Sequence, residues 1–243
     1  MKRCALVVAY ALFVSAPSLA AVTPIGLQRV VRVSAHTEIV DGPTEEGADE
    51  RVSSEFGLFN EGLELKVSDA GGSASQVSTV SPQQITATGH AAAGAYTQTG
   101  DIYSAASAAS LLHYEFLVDG DTQFTIVGQV QGHGQFPPLY VPVDSRVTLS
   151  RGAEELFFVT TGNLPEYELD DNDIVSFEHV GMLAPGNYAL DATVDQVLRW
   201  GSEGGKGGSF QFTLTFVPEP HCIDCVLLGA MTCVVVGRRR VLK

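Results

Sequence analysis

The sequence predicts an all-β protein built as an antiparallel β-sandwich. Three observations carry that prediction. Apolar and polar residues alternate with period two in one run after another, the pattern of a strand buried on one face. Gly, Pro and Asp-Gly breakers separate the runs. Between residues 27 and 216 no run keeps a helical period. About ten strands joined by short turns pack most simply as two facing sheets.

The first element is not part of the sandwich. Lys2 and Arg3 give a charged start, Cys4 to Val14 an apolar run, and Ser18-Leu19-Ala20 places small residues at −3 and −1. This is the layout of a secretory signal peptide over residues 1–20, with cleavage expected between Ala20 and Ala21. No lipobox cysteine stands at that point.

The predicted sandwich spans residues 21–217. Val31, Val33, Ala35, Thr37 and Ile39 alternate with Arg32, Ser34, His36 and Glu38 as a half-buried strand. Asp41 to Glu55 reads as an acidic loop that opens on the Gly42-Pro43 breaker. Leu63, Leu65 and Val67 alternate again, and Gly71-Gly72-Ser73 reads as a turn. Ser75 to Ala95 is small and polar, the composition of a linker. Thr86, Thr88 and His90 nevertheless alternate with Ala87, Gly89 and Ala91, so strands are predicted. Tyr103 to Leu112 is Ala-rich enough for a helix. Ser104, Ser107 and Ser110 argue against one, and Leu112, Tyr114, Phe116 and Val118 alternate.

Asp119-Gly120 between two alternating runs predicts a tight hairpin, since Gly tolerates positive φ. Its second arm is Phe124, Ile126, Gly128 and Val130, and Pro137-Pro138 breaks the chain. Val147 to Leu149 and Leu156 to Thr160 flank an Arg151-Gly152 turn. Ile174 to Val180 is a strand, and Leu183 to Asn187 a type II turn with Pro and Gly in place. Tyr188, Leu190, Ala192 and Val194 follow, then a loop from Gly201 to Gly208. The last strand puts Phe210, Phe212, Leu214 and Phe216 on one face. Jelly-roll-like and Ig-like arrangements both fit this order of elements.

The C-terminal segment, residues 218–243, has three parts. Pro218 and Pro220 lack a backbone N–H and fix φ, so Pro218-Glu219-Pro220 is expected to be extended and unpaired. Cys222 to Gly237 is mostly apolar and would span about 24 Å as a helix. That is a short transmembrane helix, since a full span needs about 30 Å. Arg238, Arg239, Arg240 and Lys243 would hold the end in the cytoplasm.

This order of Pro-Glu-Pro, apolar run and Arg cluster, after an N-terminal signal peptide, resembles the PEP-CTERM sorting signal of bacterial exported proteins. The resemblance covers residues 218–243. Asp224 and the Cys222-Ile223-Asp224-Cys225 stretch depart from the smoother run usual in the family. It implies recognition by an exosortase, a membrane enzyme that cleaves near the motif. It also implies delivery to the cell envelope, cell surface or extracellular matrix, commonly in bacteria that make exopolysaccharide. A plain single-span anchor is the alternative. The order of elements from Gln76 to Phe216 also resembles ectodomains of other PEP-CTERM proteins, and that likeness implies no activity.

Charge excludes some partners. The chain has 14 Lys and Arg against 28 Asp and Glu. Setting aside Lys2, Arg3, the four C-terminal cations, Glu219 and Asp224 leaves eight cations and 26 anions, a net of −18. Such a domain repels nucleic acid and anionic membrane surfaces. All four cysteines, Cys4, Cys222, Cys225 and Cys233, lie in the targeting segments, so the exported domain has no disulfide and relies on its core. Cys222 and Cys225 have C-x-x-C spacing but neither a second pair nor a thioredoxin-like setting.

A search for chemistry finds little. There is no G-x-S-x-G elbow and no H-E-x-x-H, and His36, His90, His113, His133 and His179 are scattered. His113 is expected to face outward. The Gly201 to Gly208 stretch lacks the P-loop Ser or Thr. Glu166, Glu168, Asp170, Asp171 and Asp173 crowd together, with Asp170, Asp171 and Asp173 as calcium candidates, though the EF-hand spacing fails at Val175. A solvated acidic loop is the plainer reading. No other cofactor is expected. Paired carboxylates also serve glycosidases, but sequence does not bring two of them to the required separation. The expected function is that of an exported, non-enzymatic structural or adhesion protein. The alternatives are a carbohydrate-binding module, with Tyr140, Tyr167 and Trp200 as stacking candidates, and a secreted hydrolase.

Overall fold

The computed structural model describes residues 21–95, 102–135, 144–162, 173–198 and 204–218. These form twelve strands: β1 (Val22–Ile39), β2 (Thr44–Ser53), β3 (Gly57–Val67), β4 (Ala70–Val80), β5 (Gln84–Ala95), β6 (Ile102–Val118), β7 (Thr122–Gln135), β8 (Asp144–Arg151), β9 (Glu154–Thr160), β10 (Asp173–Leu183), β11 (Gly186–Leu198) and β12 (Gly204–Pro218). One six-stranded sheet has the order β2-β1-β6-β11-β8-β9, and the other has β10-β7-β12-β5-β4-β3. All neighbouring strands are antiparallel. Each sheet buries the face toward the other, so the fold is the predicted antiparallel sandwich. The signal-peptide and sorting segments lie outside the described residues, apart from Ala21 and Pro218.

Strand phase follows the side chains. Val31, Val33, Ala35 and Thr37 are buried, and so are Ile85, Ala87, Ala91 and Ala93. The stretch with linker composition is therefore β4 and β5, and the Ala-rich stretch is β6. Three phenylalanines lie in register with an inward glycine: Phe210 with Gly89, Phe212 with Gly128, and Phe124 with Gly181. A Cβ on Gly89 would come 2.3 Å from the Phe210 ring. The glycines give these rings their room.

Several expectations are corrected. Asp119-Gly120 does not close a hairpin. It carries the chain from β6 in one sheet to β7 in the other. Both edges of β6 are already taken, by β1 and β11, and Gly120 has no positive φ of the kind a two-residue hairpin turn needs. Most of the supposed acidic loop is β2, paired with β1 from Glu38↔Thr44 to Arg29↔Ser53. Edge pairing uses the backbone, so alternation is not required, and charge on an edge discourages further pairing. Gly204 to Gly208 is strand rather than loop, paired with Ala95 to Ala91 on one side and partly with β7 on the other. Pro218 is extended but not beyond the ladder, since it is the last position in register, opposite Thr122. In β4, Val77 faces solvent while Gln76 and Ser78 are buried.

The two ends of the sandwich differ. At one end lie Ala21, Pro218 and the short connections 54–56, 81–83, 119–121, 152–153 and 184–185. The backbone N–H of Ala21 donates to Asp119 there. We call this the terminal end. At the far end lie the β1–β2 and β3–β4 hairpins, with positive φ at Asp41 and Ser68. The strand ends flanking residues 96–101, 136–143, 163–172 and 199–203 also lie there.

The core changes along the same axis. Near the terminal end Phe116 stacks between Tyr114 and Tyr188, at 5.3 and 5.6 Å between ring centres, and meets Phe216 at 5.0 Å. The Tyr188 hydroxyl donates to the Ala184 carbonyl at 2.6 Å. Toward the far end the facing residues are Ala35, Ala74, Ala91, Ala93, Ala106 and Ala108. The sheets approach closely there: a Cβ on Gly72 would sit 3.0 Å from the Ser107 carbonyl.

Candidate functional site

Two clusters carry chemistry. The first lies on the outer face of the β2-to-β9 sheet. Antiparallel register places Gln28 (β1), His113 (β6), Asp191 (β11), Thr148 (β8) and Phe158 (β9) in one cross-strand rank. His113 Nδ1 lies 2.7 Å from Asp191 Oδ1, and Nε2 lies 3.4 Å from Glu115 Oε1. Burial alone would lower its pKa. The hydrogen bonds and charges of Asp191, then Glu115, outweigh that and raise it. The imidazolium form, donating from both nitrogens, is the one this pair of carboxylates favours. In that form the ring has no lone pair for general-base work.

Around His113 the face is shallow. A depression of about 410 Å³ is lined by Gln28, Val30, Leu111, His113, Asp191 and Thr193. Two same-face ranks nearer the far end, Arg32 reaches Asp195 at 3.3 Å across the small Ala109. Phe158 is 42% exposed at the end of its rank. The face thus offers hydrogen-bonding groups beside one exposed ring, the kind of surface on which a flat polar ligand rests.

The second is a set of separate buried polar residues between the sheets toward the far end, with Ser104 two inward steps beyond the Gln196–Ala108 pair. Lys206 is only 3% exposed, and Gln196 and Ser104 are each 1% exposed. Gln196 Nε2 and Ser104 Oγ have no hydrogen-bond partner among the described residues. Lys206 has no salt bridge with any described residue, and burial lowers its pKa to about 8. A groove of about 750 Å³ runs over the outer face of the β10-to-β3 sheet, along Glu64, Lys66, Ser73, Ala92, Gly94 and Gly205, and reaches Lys206.

A second buried cation, Arg29, has a structural explanation. It donates to the carbonyls of Gly57 and Glu55 and to the hydroxyls of Ser53 and Ser78. Its guanidinium sits 4.9 Å from the centre of the Phe59 ring. Burial lowers its pKa and the Glu55 charge opposes that. Arg29 ties the β2–β3 passage to the core.

His113 faces outward as expected. His36 lies 3.9 Å from Glu46, and His179 packs among Phe124 and Phe157. Asp170, Asp171, Tyr140, Tyr167 and Trp200 lie outside the described residues, as do Ala20, Glu219, Pro220 and Arg238 to Arg240. Asp173 opens β10 opposite Gly132. Among the described residues no three His, Cys, Asp or Glu side chains are grouped to hold a metal, and no helix is long and apolar enough to cross a membrane. Lys206, Gln196, Ser104 and Arg29 escaped the sequence reading. Strand parity is the signal that finds them, since each stands in phase with the buried residues of its own strand.

No family model and no curated protein matches the chain. Several solved structures are similar at a low level, three of them as follows. A Stig cyclase, Fisc, from Fischerella sp. TAU has 13% identity and a TM-score of 0.27, over 59% of this chain and 90% of that one. The mosquito-larvicidal Cry4Aa toxin from Bacillus thuringiensis has 8% identity and a TM-score of 0.23, over 85% of this chain and 44% of that one. The VP2 subviral particle of infectious bursal disease virus has 9% identity and a TM-score of 0.21, over 91% and 74% respectively. Similarity at this level carries no functional inference.

Proposed function

We propose that this is an exported, non-enzymatic β-sandwich that an exosortase sorts to the cell envelope or extracellular matrix, where it has a structural or adhesion role, with exopolysaccharide as a partner. The observation that carries the reading is the C-terminal order of Pro218-Glu219-Pro220, apolar run and Arg238-Arg239-Arg240. The placement of the termini supports it. Pro218 closes β12 opposite Thr122, at the same end as Ala21. A chain held by its C-terminus would keep that end near the membrane and turn the far end outward.

The test is cleavage. Glu219→Ala should leave the protein exported and membrane-held but uncut, while removal of residues 218–243 should release it. Intact-mass analysis that finds Lys243 on all of the envelope-associated protein, in a host with an exosortase, reduces the segment to a plain anchor.

A second reading is a carbohydrate-binding module. The rank from Gln28 through His113 and Asp191 to the exposed Phe158 favours it. Glycan-array binding that disappears in Phe158→Ser would support it. Sandwich architecture alone does not.

A further inference from the structure

We propose that the outer face of the β10-to-β3 sheet is a self-association surface, on which a second copy of this chain docks sheet to sheet. The inference holds whether or not the C-terminal segment is processed.

The observation is a gap in charge. Residues 21–217 carry 26 Asp and Glu against eight Lys and Arg. Yet the four central strands of this sheet present none of them outward from Gln123 to Gln131 in β7, Ser209 to Val217 in β12, Gln84 to Ala92 in β5 and Ser73 to Thr79 in β4. The rank through the middle of the face reads Val127, Thr213, Thr86 and Thr79. Charge returns on the edge strands, with Glu178 of β10 beside Val127 and with Glu64 and Lys66 of β3. The outer face of the other sheet is different, since Arg32, Glu115, Asp191 and Asp195 stand on its central strands. An uncharged centre inside a charged rim is the composition of a protein interface. Val77, Val127, Val180, Met182 and Val217, each 45–51% exposed, give this face apolar surface to bury.

Charge and area select the partner. Two copies this acidic repel each other wherever carboxylates meet, and this face is where they can touch without that cost. With strands about 4.8 Å apart and a rise of about 3.4 Å per residue, the six strands present about 800 Å² over the length of the uncharged field. A stable interface takes about that much from each partner. Sheets stack face to face in this way at about 10 Å, and β-branched side chains such as Thr213 and Thr86 are stiff enough to interdigitate there. The same patch on both copies closes a two-fold dimer rather than a fibre. A neutral glycan fits less well, because no Phe, Tyr or Trp stands outward on this stretch of the four strands to stack on a sugar ring.

The experiment is sedimentation of the full-length protein, purified in detergent, at about 100 μM, above the micromolar Kd at the weak end for interfaces of this size. Wild type should be a dimer, and its association should tighten as salt screens the acidic domains. Thr213→Lys puts a cation at the centre of the face on both copies and should weaken dimerisation about 100-fold. Thr148→Lys makes the same change in net charge on the opposite outer face and should leave the dimer intact. Gln211→Lys, more exposed and one rank away, repeats the test if Thr213→Lys does not fold. A monomeric wild type overturns the proposal. A dimer that survives Thr213→Lys and Gln211→Lys also overturns it and assigns association to another surface or to the C-terminal apolar run. A monomer that binds dextran, with binding lost in Thr213→Lys, overturns it as well and assigns the face to a neutral glycan.

Discussion

The two ends of this sandwich bury themselves in different ways. The terminal end stacks Tyr114, Phe116, Tyr188 and Phe216. The far end brings alanine against alanine and leaves Lys206, Gln196 and Ser104 among them. Aromatic rings remove far more apolar surface from water than methyl groups do. The stability of the domain is therefore concentrated where the chain enters and leaves. The far end adds little apolar burial and tolerates groups that a stability-driven core would reject.

The largest expected effect tests that division directly. Phe116→Ala should cost about 3–5 kcal/mol, because the ring is fully buried against three others. Ala93→Gly at the far end should cost only about 1 kcal/mol, the loss of a methyl and of backbone restriction. Urea unfolding of both variants measures the ratio. Equal costs would mean that the ends share the load.

Arg29→Ala should follow in size. It removes donors from the Glu55 and Gly57 carbonyls and the cation from Phe59. Leaving such groups without partners costs about 1–3 kcal/mol. The loss should open the β2–β3 passage first, so hydrogen exchange of residues 53–59 should speed up more than that of β11. A uniform change in exchange would remove the local role.

How much of this was legible depends on where each strand sits. Central strands announced themselves, because Val31, Val33 and Ala35, or Tyr114, Phe116 and Val118, must hide one face. The edge strand β2 did not, since Glu45, Glu46 and Glu50 stay in water while their backbone pairs. The Asp119-Gly120 turn showed that the chain reverses. It did not show whether the next strand joins the same sheet, because that depends on β11 occupying the edge of β6 from far along the chain. The buried polar groups were hidden by their chemistry rather than by their position. Lys206 shares parity with Phe210 and Phe212, and Arg29 with Leu27 and Val31. A charged residue in phase with a core invites its reading as a break in the strand, and here it marks the inside. The rank of Gln28, His113, Asp191, Thr148 and Phe158 draws on five strands, and sequence pattern gives no register between them.

A smaller effect should separate the far end from the rest by its pH response. The folded-state pKa of Lys206 is about 8, below the ordinary 10.5. Between those values the unfolded chain binds the proton that the folded chain has released, so stability rises with pH across that window. Below about pH 8 the cost of the buried ammonium is fully present. Lys206→Met should therefore melt higher than wild type near neutral pH, with the gap closing as pH approaches the upper value. A gap that stays constant would mean that Lys206 does not titrate on folding.

The smallest effect should carry the opposite sign, and it comes from the outer face. His113 has its pKa raised in the folded state by Asp191 and Glu115, against the effect of burial. Its contribution is then fully present below the ordinary value of 6.5 and is lost as pH rises through the folded-state value. The side chain is 40% exposed and solvent screens it, so a surface pair of this kind is worth about 0.2–1 kcal/mol. Wild type should exceed His113→Gln in melting temperature at about pH 5.5, and the difference should shrink by about pH 8.5. The two groups thus oppose each other along the pH axis, the outer-face cation helping most where the buried cation costs most. Glu115→Gln should remove a smaller part of the His113 effect than Asp191→Asn, since its contact is 3.4 Å against 2.7 Å. If Asp191→Asn left the pH dependence of stability untouched, the hydrogen bond across β6 and β11 would not be what holds His113 in its charged form, and the rank would be left as a line of neighbours without electrostatic coupling.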